Sequence, residues 1–188
     1  VYPQIVTVTP GSGSPSGGED PVTPPSSGEE STPASLPLTA AFTYSAGNEK
    51  TAPTGWTLDV SKGSYVTGWQ SFRNDGESLL SPKFETVGAV TVSLDVYLNN
   101  EGKSGNKISK LKIEALNATG EVVATYTSDN LNDLTVGQSN QTTVITENVE
   151  TVSCTLTGTG ICQVKITFVK DGGGNIGFSN VAIVKKEE

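Results

Sequence analysis

The 188-residue chain contains no histidine, no methionine, two cysteines and two tryptophans. Without imidazole, a His general base, a Ser-His triad and His-ligated metals are excluded. Basic residues are also scarce: 12 Lys+Arg stand against 20 Asp+Glu, a net charge of −8. That balance argues against the clustered cations on which nucleic-acid binding depends. No apolar run reaches the roughly 18 residues of a membrane-spanning helix, so no membrane span is expected. No charged and apolar leader with a small-residue cleavage site is recognisable either. A natural chain starts with Met, so a processed form or an excised piece is expected, with any export signal upstream of Val1.

What the chain does have is glycine, proline, serine and threonine. Residues 1–8, VYPQIVTV, hold a short β-prone run at Ile5, Val6 and Val8. They read either as a strand or arm left from a preceding domain, or as a disordered terminus with incidental apolar residues. Residues 9–36 lack hydrophobic periodicity and cannot bury enough surface to offset chain entropy, the signature of a flexible linker. Its four carboxylates, Glu19, Asp20, Glu29 and Glu30, subtract from the 20 to leave 16 acidic and 12 basic side chains over 37–188. The expected domain over 37–188 is thus only mildly acidic, too weakly to choose a partner by steering.

Strand periodicity dominates 37–186. Over 89–98, Val90, Val92, Leu94, Val96 and Leu98 share one face, and Thr91, Ser93, Asp95 and Tyr97 the other. Residues 109–116 alternate likewise, and 121–127 return after Asn117-Ala118-Thr119-Gly120, predicting a hairpin. Val152, Cys154 and Leu156 alternate, as do Cys162, Val164, Ile166 and Phe168, with Thr157-Gly158-Thr159-Gly160 read as the turn between them. Residues 38–44, 55–60, 79–85 and 176–184 are further strand candidates, and no helix is convincing. About nine or ten short strands predict an all-β, two-sheet antiparallel sandwich, and about 150 residues suit a jelly roll.

If the TGTG segment closes a hairpin, Cys154 and Cys162 lie nearly opposite each other, within reach of a disulfide. The alternative is two buried free thiols packed as small apolar residues. Pairing would suit an extracellular or periplasmic setting.

Pro53-Thr54-Gly55-Trp56 and Leu79-Leu80-Ser81-Pro82 carry a resemblance. The first follows a strand; the second opens a strand leading into an alternating one. The pattern resembles the cleaved-adhesin or choice-of-anchor jelly rolls of secreted Bacteroidetes proteins, related in shape to MAM domains and carbohydrate-binding modules. The resemblance implies a non-catalytic accessory domain for adhesion, glycan contact or domain packing. It also implies Ca²⁺ near the first and last strands, with carboxylates after the first-strand Phe and before a late Asn-Val. Here Thr43 follows Phe42 and Ser179 precedes Asn180-Val181, so both carboxylates are missing. Asn48, Glu49 and Asp171 are the weak remaining Ca²⁺ candidates, and no other cofactor is expected.

No Gly-x-Ser-x-Gly and no spaced acid/base pair occurs, so enzymatic activity is not expected. The loop at Asp129-Asn130-Leu131-Asn132-Asp133 reads as a solvated turn, and Asp171-Gly172-Gly173-Gly174-Asn175 as a flexible connector. Asn117-Ala118-Thr119 and Asn140-Gln141-Thr142 match N-glycosylation acceptors by chance. Trp56 reads as core. Around Trp69, by contrast, an aromatic sits among glycines and polar residues, where a ring can stack on a sugar and neighbours bond its hydroxyls. Tyr65, Trp69, Gln70, Arg73, Asn74 and Asp75 are the candidate glycan contacts, joined by Tyr97 from the polar face of its strand. Alternatively, Trp69 or Phe72 plugs the sandwich edge. The expectation is a secreted, periplasmic or cell-surface monomer whose partner is a glycan or surface ligand, or an upstream domain of the same protein.

Overall fold

Alternating strands satisfy their backbone groups only by pairing, and the computed structural model shows which neighbours they take. The structure describes residues 32–43, 50–64, 66–102, 105–137 and 143–187. The 1–8 arm, the linker up to residue 31, Asn48, Glu49, Tyr65 and Asn140-Gln141-Thr142 lie outside the described residues.

The strands are β1 (Leu38–Ala40), β2 (Thr57–Asp59), β3 (Gln70–Phe72), β4 (Ser78–Leu80), β5 (Val87–Leu98), β6 (Ile108–Leu116), β7 (Val122–Thr127), β8 (Glu150–Ile161), β9 (Gln163–Asp171) and β10 (Ile176–Lys185). Two one-turn 3-10 segments, Leu131–Asp133 and Thr146–Asn148, are the helical elements among them. One sheet runs β1-β10-β5-β8, with β3 joining β10 beyond β1, and the other runs β2-β4-β9-β6-β7. These strand pairings are antiparallel. The fold is an all-β jelly-roll sandwich, and β6 and β7 form the expected hairpin.

The core lies between the sheets. Val90, Val92, Leu94, Val96 and Leu98 of β5 face Leu111, Ile113 and Ala115 of β6 and Val164, Ile166 and Phe168 of β9, each nearly inaccessible to solvent. Trp56 is core, as expected. At one end Phe72 stacks between Phe178, with ring centroids 4.2 Å apart, and Phe168 at 5.9 Å.

Bulges keep broken apolar patterns in phase. On β10 the inward residues are Ile176, Phe178, Val181 and Ile183, a spacing that skips once. Between Ser179↔Asp95 and Ala182↔Ser93 the strand carries one residue more than its partner, and Asn180 there takes a φ of 49°. The bulge restores Val181 to the core face. Asn tolerates this left-handed conformation better than most residues.

A second irregularity corrects the cysteine reading. The TGTG segment does not turn the chain; it is a bulge inside β8. Val87 pairs with Ile161 and Ala89 with Thr157, so four residues of β8 oppose two of β5, and Gly160 supplies a φ of 74°. The strand ends only at Ile161. The chain then passes to the other sheet through Cys162, whose N–H donates to the Leu116 carbonyl and whose carbonyl accepts from Phe84 N–H. Cys154 pairs with Val92 and Ile161 with Val87, five residues along β5 and therefore about 17 Å apart at strand rise. A disulfide spans about 6 Å between Cα atoms, so Cys154 and Cys162 are free, buried thiols. Burial pushes the Cys154 thiol up to about 11.

Ala34, inside the stretch expected to be linker, already bridges to Phe84: its N–H donates to the Lys83 carbonyl and its carbonyl accepts from Glu85 N–H. Among the described residues no helix is long and apolar enough to cross a membrane.

Candidate functional site

The loops following β3, β5 and β9 meet at one end of the sandwich, together with the segment after β2. Glu77 ties two of them together. Its carboxylate accepts from Ser61 N–H (2.9 Å), Ser61 Oγ (2.5 Å), Arg73 N–H (2.5 Å) and Asn74 Nδ2 (3.0 Å). Burial works to raise the Glu77 pKa, but these hydrogen bonds together outweigh it and hold the carboxyl below its ordinary range. The Glu77 carbonyl also accepts from Phe168 N–H, and Gly76 N–H donates to the Phe168 carbonyl, fixing the turn on β9.

The loop after β9 is equally pinned, contrary to the flexible connector expected for Asp171-Gly172-Gly173-Gly174-Asn175. A Cβ on Gly173 would run into the Ile108 carbonyl and Ser109 Oγ, and one on Gly174 into the Asn100 carbonyl. Only glycine lets the backbone approach this closely. Gly174 N–H donates to Asn132 Oδ1 (2.7 Å), Ser109 Oγ donates to the Gly174 carbonyl (2.9 Å), and Asn175 N–H donates to Asn100 Oδ1 (2.8 Å). The polar 129–133 segment is therefore structural: Asn130 Oδ1 accepts from Ser109 N–H while Asn132 holds the glycine loop.

Between these loops lies a polar cleft of about 400 Å³, lined by Lys62, Arg73, Asn74, Asn100, Lys170 and Asn175, together with Ser61, Gly172 and Gly173. Lys170 Nζ bridges it, donating to the Arg73 carbonyl and to Asn175 Oδ1, both at 2.7 Å. Arg73 Nη2 donates to the Gly63 carbonyl at 3.1 Å. Among the described residues the lining contains no carboxylate.

Of the residues that sequence reading proposed for glycan contact, Arg73 and Asn74 line this cleft. Asp75 does not line it; its carboxylate accepts from Lys170 N–H at 2.9 Å. Gln70 was expected in an exposed loop, but it belongs to β3 and is fully buried. The surrounding glycines disguise β3 as a loop, and its three residues are all buried because they pair with β10 at the end of the sheet.

Tyr97 was expected to project into solvent and is instead completely buried. Alternation does put it on the outer face of its sheet, but that face is covered here. Ser71, Gly177 and Tyr97 lie side by side across β3, β10 and β5. Gly177 has no side chain, so the Tyr97 ring lies over it. Trp69, half-buried, forms a T-shaped pair with that ring, centroids 4.9 Å apart and planes at 80°. Ser179 Oγ anchors the segment bearing Trp69 by donating to the Gly68 carbonyl at 2.6 Å. Burial pushes the Tyr97 phenol up to about 12, against smaller opposing pulls from the Ser71 hydroxyl and the Arg73 cation. The two hydroxyls are near enough to interact but do not align in a hydrogen bond of ordinary geometry.

Sequence reading missed Lys62, Asn100, Lys170 and Asn175. No periodicity marks them, because they sit at strand ends or in loops and meet only through the topology. Of the Ca²⁺ candidates, Asn48 and Glu49 lie outside the described residues and Asp171 is exposed at the end of β9; among the described residues no group of three or more carboxylates or thiols gathers.

No protein-family model matches the chain, and no curated protein matches it. Solved structures share its shape at low identity. An arabinose-bound α-L-arabinofuranosidase aligns with TM-score 0.49 and 13% identity over 77% of this chain and 25% of that one, so the chain spans about a quarter of that enzyme's length. The C-terminal family 6 carbohydrate-binding module of a marine laminarinase from Zobellia galactanivorans aligns with TM-score 0.40 and 16% identity, covering 80% of this chain and 100% of the module. The structural neighbours thus include carbohydrate-binding modules and cleaved adhesin domains, such as the K3 domain of Lys-gingipain from Porphyromonas gingivalis at TM-score 0.44 and 12% identity over 71% of this chain and 93% of that one.

Proposed function

We propose that this is a non-catalytic binding module of a secreted, periplasmic or cell-surface protein, taking a glycan or another surface ligand into the loop-end cleft. The observation that carries this reading is preorganisation. Of the side chains lining the cleft, Asn74, Asn100, Lys170 and Asn175 are already fixed to one another, to Glu77 or to the backbone. A ligand therefore meets placed polar groups and does not bear the entropy of ordering them. The chain has no histidine, and among the described residues the lining has no carboxylate, to serve as general acid or base. Affinity electrophoresis of the intact chain against a broad polysaccharide panel tests the proposal, with Asn74→Ala and Asn175→Ala as cleft variants. Retardation by at least one polysaccharide, lost in variants that circular dichroism shows to be folded, is expected. Binding indifferent to both substitutions, or no binding across the panel, would sink it.

One observation favours a second reading, a domain that packs on or spaces an upstream domain. Trp69, the aromatic that sequence reading placed against a sugar, is half-buried and packs perpendicular to the Tyr97 ring. On this reading, removing the domain lowers the melting temperature of whatever precedes it, and the cleft variants do nothing. A monomer is expected on either reading.

A further inference from the structure

One wall of the cleft hangs on one side chain. β2 and β4 pair antiparallel as far as Asp59↔Ser78, so Ser61 and Glu77 leave the sheet side by side. The turn after β3 brings Arg73 and Asn74 to the same place. Glu77 is 7% exposed, beneath an exposed Ser61 and an exposed Asn74. Its Oε1 accepts from Ser61 N–H, Ser61 Oγ and Asn74 Nδ2, and its Oε2 accepts from Arg73 N–H. Asn74 Nδ2 also donates to Ser61 Oγ at 2.6 Å, which closes the cluster. Ser61, Lys62, Arg73 and Asn74 all line the cleft. The opposite wall is held separately, by Asn100 on Asn175 and by Asn132 and Ser109 on Gly174.

Three of the four donors to Glu77 can never accept: two are backbone N–H groups and one is an amide nitrogen. The cluster therefore requires the ionised carboxylate, which only accepts. A neutral carboxyl carries an O–H, and that proton meets a donor wherever it sits. On Oε1 it confronts three donors, on Oε2 the Arg73 N–H alone. Protonation therefore falls on Oε2 and displaces Arg73 N–H, so the turn bearing Arg73 and Asn74 loses that anchor. Among the described residues, Asp59 and Asp75 border a shallow depression beside Glu77, and Lys62, Arg73 and Lys170 stand on the cleft side. Burial and the hydrogen bonds from Ser61, Arg73 and Asn74 are what move its pKa. The bonds together prevail, so the carboxyl reaches half-protonation only below pH 4.5.

Resting on the binding-module reading above, we infer that Glu77 is the positioning residue of the cleft. Ionised, it holds Ser61, Lys62, Arg73 and Asn74 in the arrangement that takes a ligand; protonated, it lets the ligand go. Glu77 does not belong to the lining and acts through these neighbours. The cleft thus keeps its binding form in neutral and mildly acidic surroundings and gives it up in stronger acid.

The test follows the intact chain by amide NMR, and in affinity gels cast with β-glucan, xylan, mannan and pectin, from neutral pH to below 4.5. Circular dichroism reports global folding at each pH. The Ser61 and Arg73 amides and the Asn74 side-chain amide are expected to shift together, with one midpoint below 4.5, while the sandwich stays folded. Affinity read from gel retardation falls by about tenfold or more across the same midpoint. Glu77→Gln keeps the shape but sets a donor where Oε2 stood, so it binds at neutral pH as the parent does in acid and shows no midpoint. Ser61→Ala removes one donor and moves the midpoint up, and it decides the matter should Glu77→Gln not fold. Amides that stay in place until the chain unfolds, a Ser61→Ala midpoint equal to the parent's, or a Glu77→Gln protein that binds like the parent overturns the role of Glu77 and leaves the binding module standing. A parent that neither the four polysaccharides nor the wider panel retards at any pH overturns the binding module and the ligand release with it, even where the amides titrate as expected.

Discussion

Gly177 lies inside β10 in ordinary extended backbone, where alanine normally gains about 0.5–1 kcal/mol over glycine. The structure predicts the opposite here. A Cβ at 177 would fall on Cε1 and Cζ of Tyr97, with Cδ1 at 2.7 Å. The ring has nowhere to retreat: Trp69 stands against it, and at Gly137 a Cβ would already come within 2.9 Å of Tyr97 Cβ. Gly177→Ala is therefore an overpacking change costing about 1–3 kcal/mol. Tyr97→Ala removes a fully buried aromatic and costs about 3–5 kcal/mol. With the ring gone, Gly177→Ala gains its ordinary about 0.5–1 kcal/mol, so the two substitutions couple by about 1.5–4 kcal/mol. Urea unfolding of the four proteins of the cycle, followed by tryptophan fluorescence, measures that coupling through the midpoints at constant slope. A cost for Gly177→Ala that is the same with and without the ring refutes the packing reasoning, as would a Gly177→Ala protein as stable as the parent.

Other expectations follow from single groups. Because Glu77 has a depressed pKa in the folded protein, its contribution is present above the ordinary value of 4.5 and is lost as pH falls below it; Glu77→Gln costs about 2–3 kcal/mol at neutral pH and flattens the acid limb of a stability profile. Tyr97 behaves in the reverse sense: the folded state holds the phenolic proton more tightly, so stability is intact below pH 10 and falls as pH rises towards about 12. That loss amounts to about 2–3 kcal/mol and is absent in Tyr97→Phe, measured by alkaline unfolding. Thiol titration without reductant finds both cysteines free once the chain is unfolded, and in the native protein Cys154 reacts slowly because its thiol is pushed up to about 11. A purified monomer already carrying an intramolecular disulfide would contradict the β8 geometry.

Strand periodicity was legible wherever one face is buried and the other wet. The β5, β6 and β9 alternations appear in the sequence because the core demands an apolar residue at every second position. The reading failed where that demand is locally suspended. The glycines of β8 looked like a turn because a bulge and a turn both need glycine, and only pairing with β5 distinguishes them. β3 is three residues long, too short to show a period. Of the candidate site, Arg73 and Asn74 were anticipated from a polar loop, whereas Lys62, Asn100, Lys170 and Asn175 were not.

By itself the sequence determined an all-β sandwich and removed imidazole chemistry, because composition and alternation are properties of each strand alone. Tertiary structure alone decided that Cys154 and Cys162 lie far apart, that Tyr97 is covered, and that three cations share one cleft. Those outcomes depend on bulge positions, on which strands lie side by side, and on loops from distant parts of the chain meeting at one end. No local pattern encodes such meetings, since they arise only when the two sheets close on a common core.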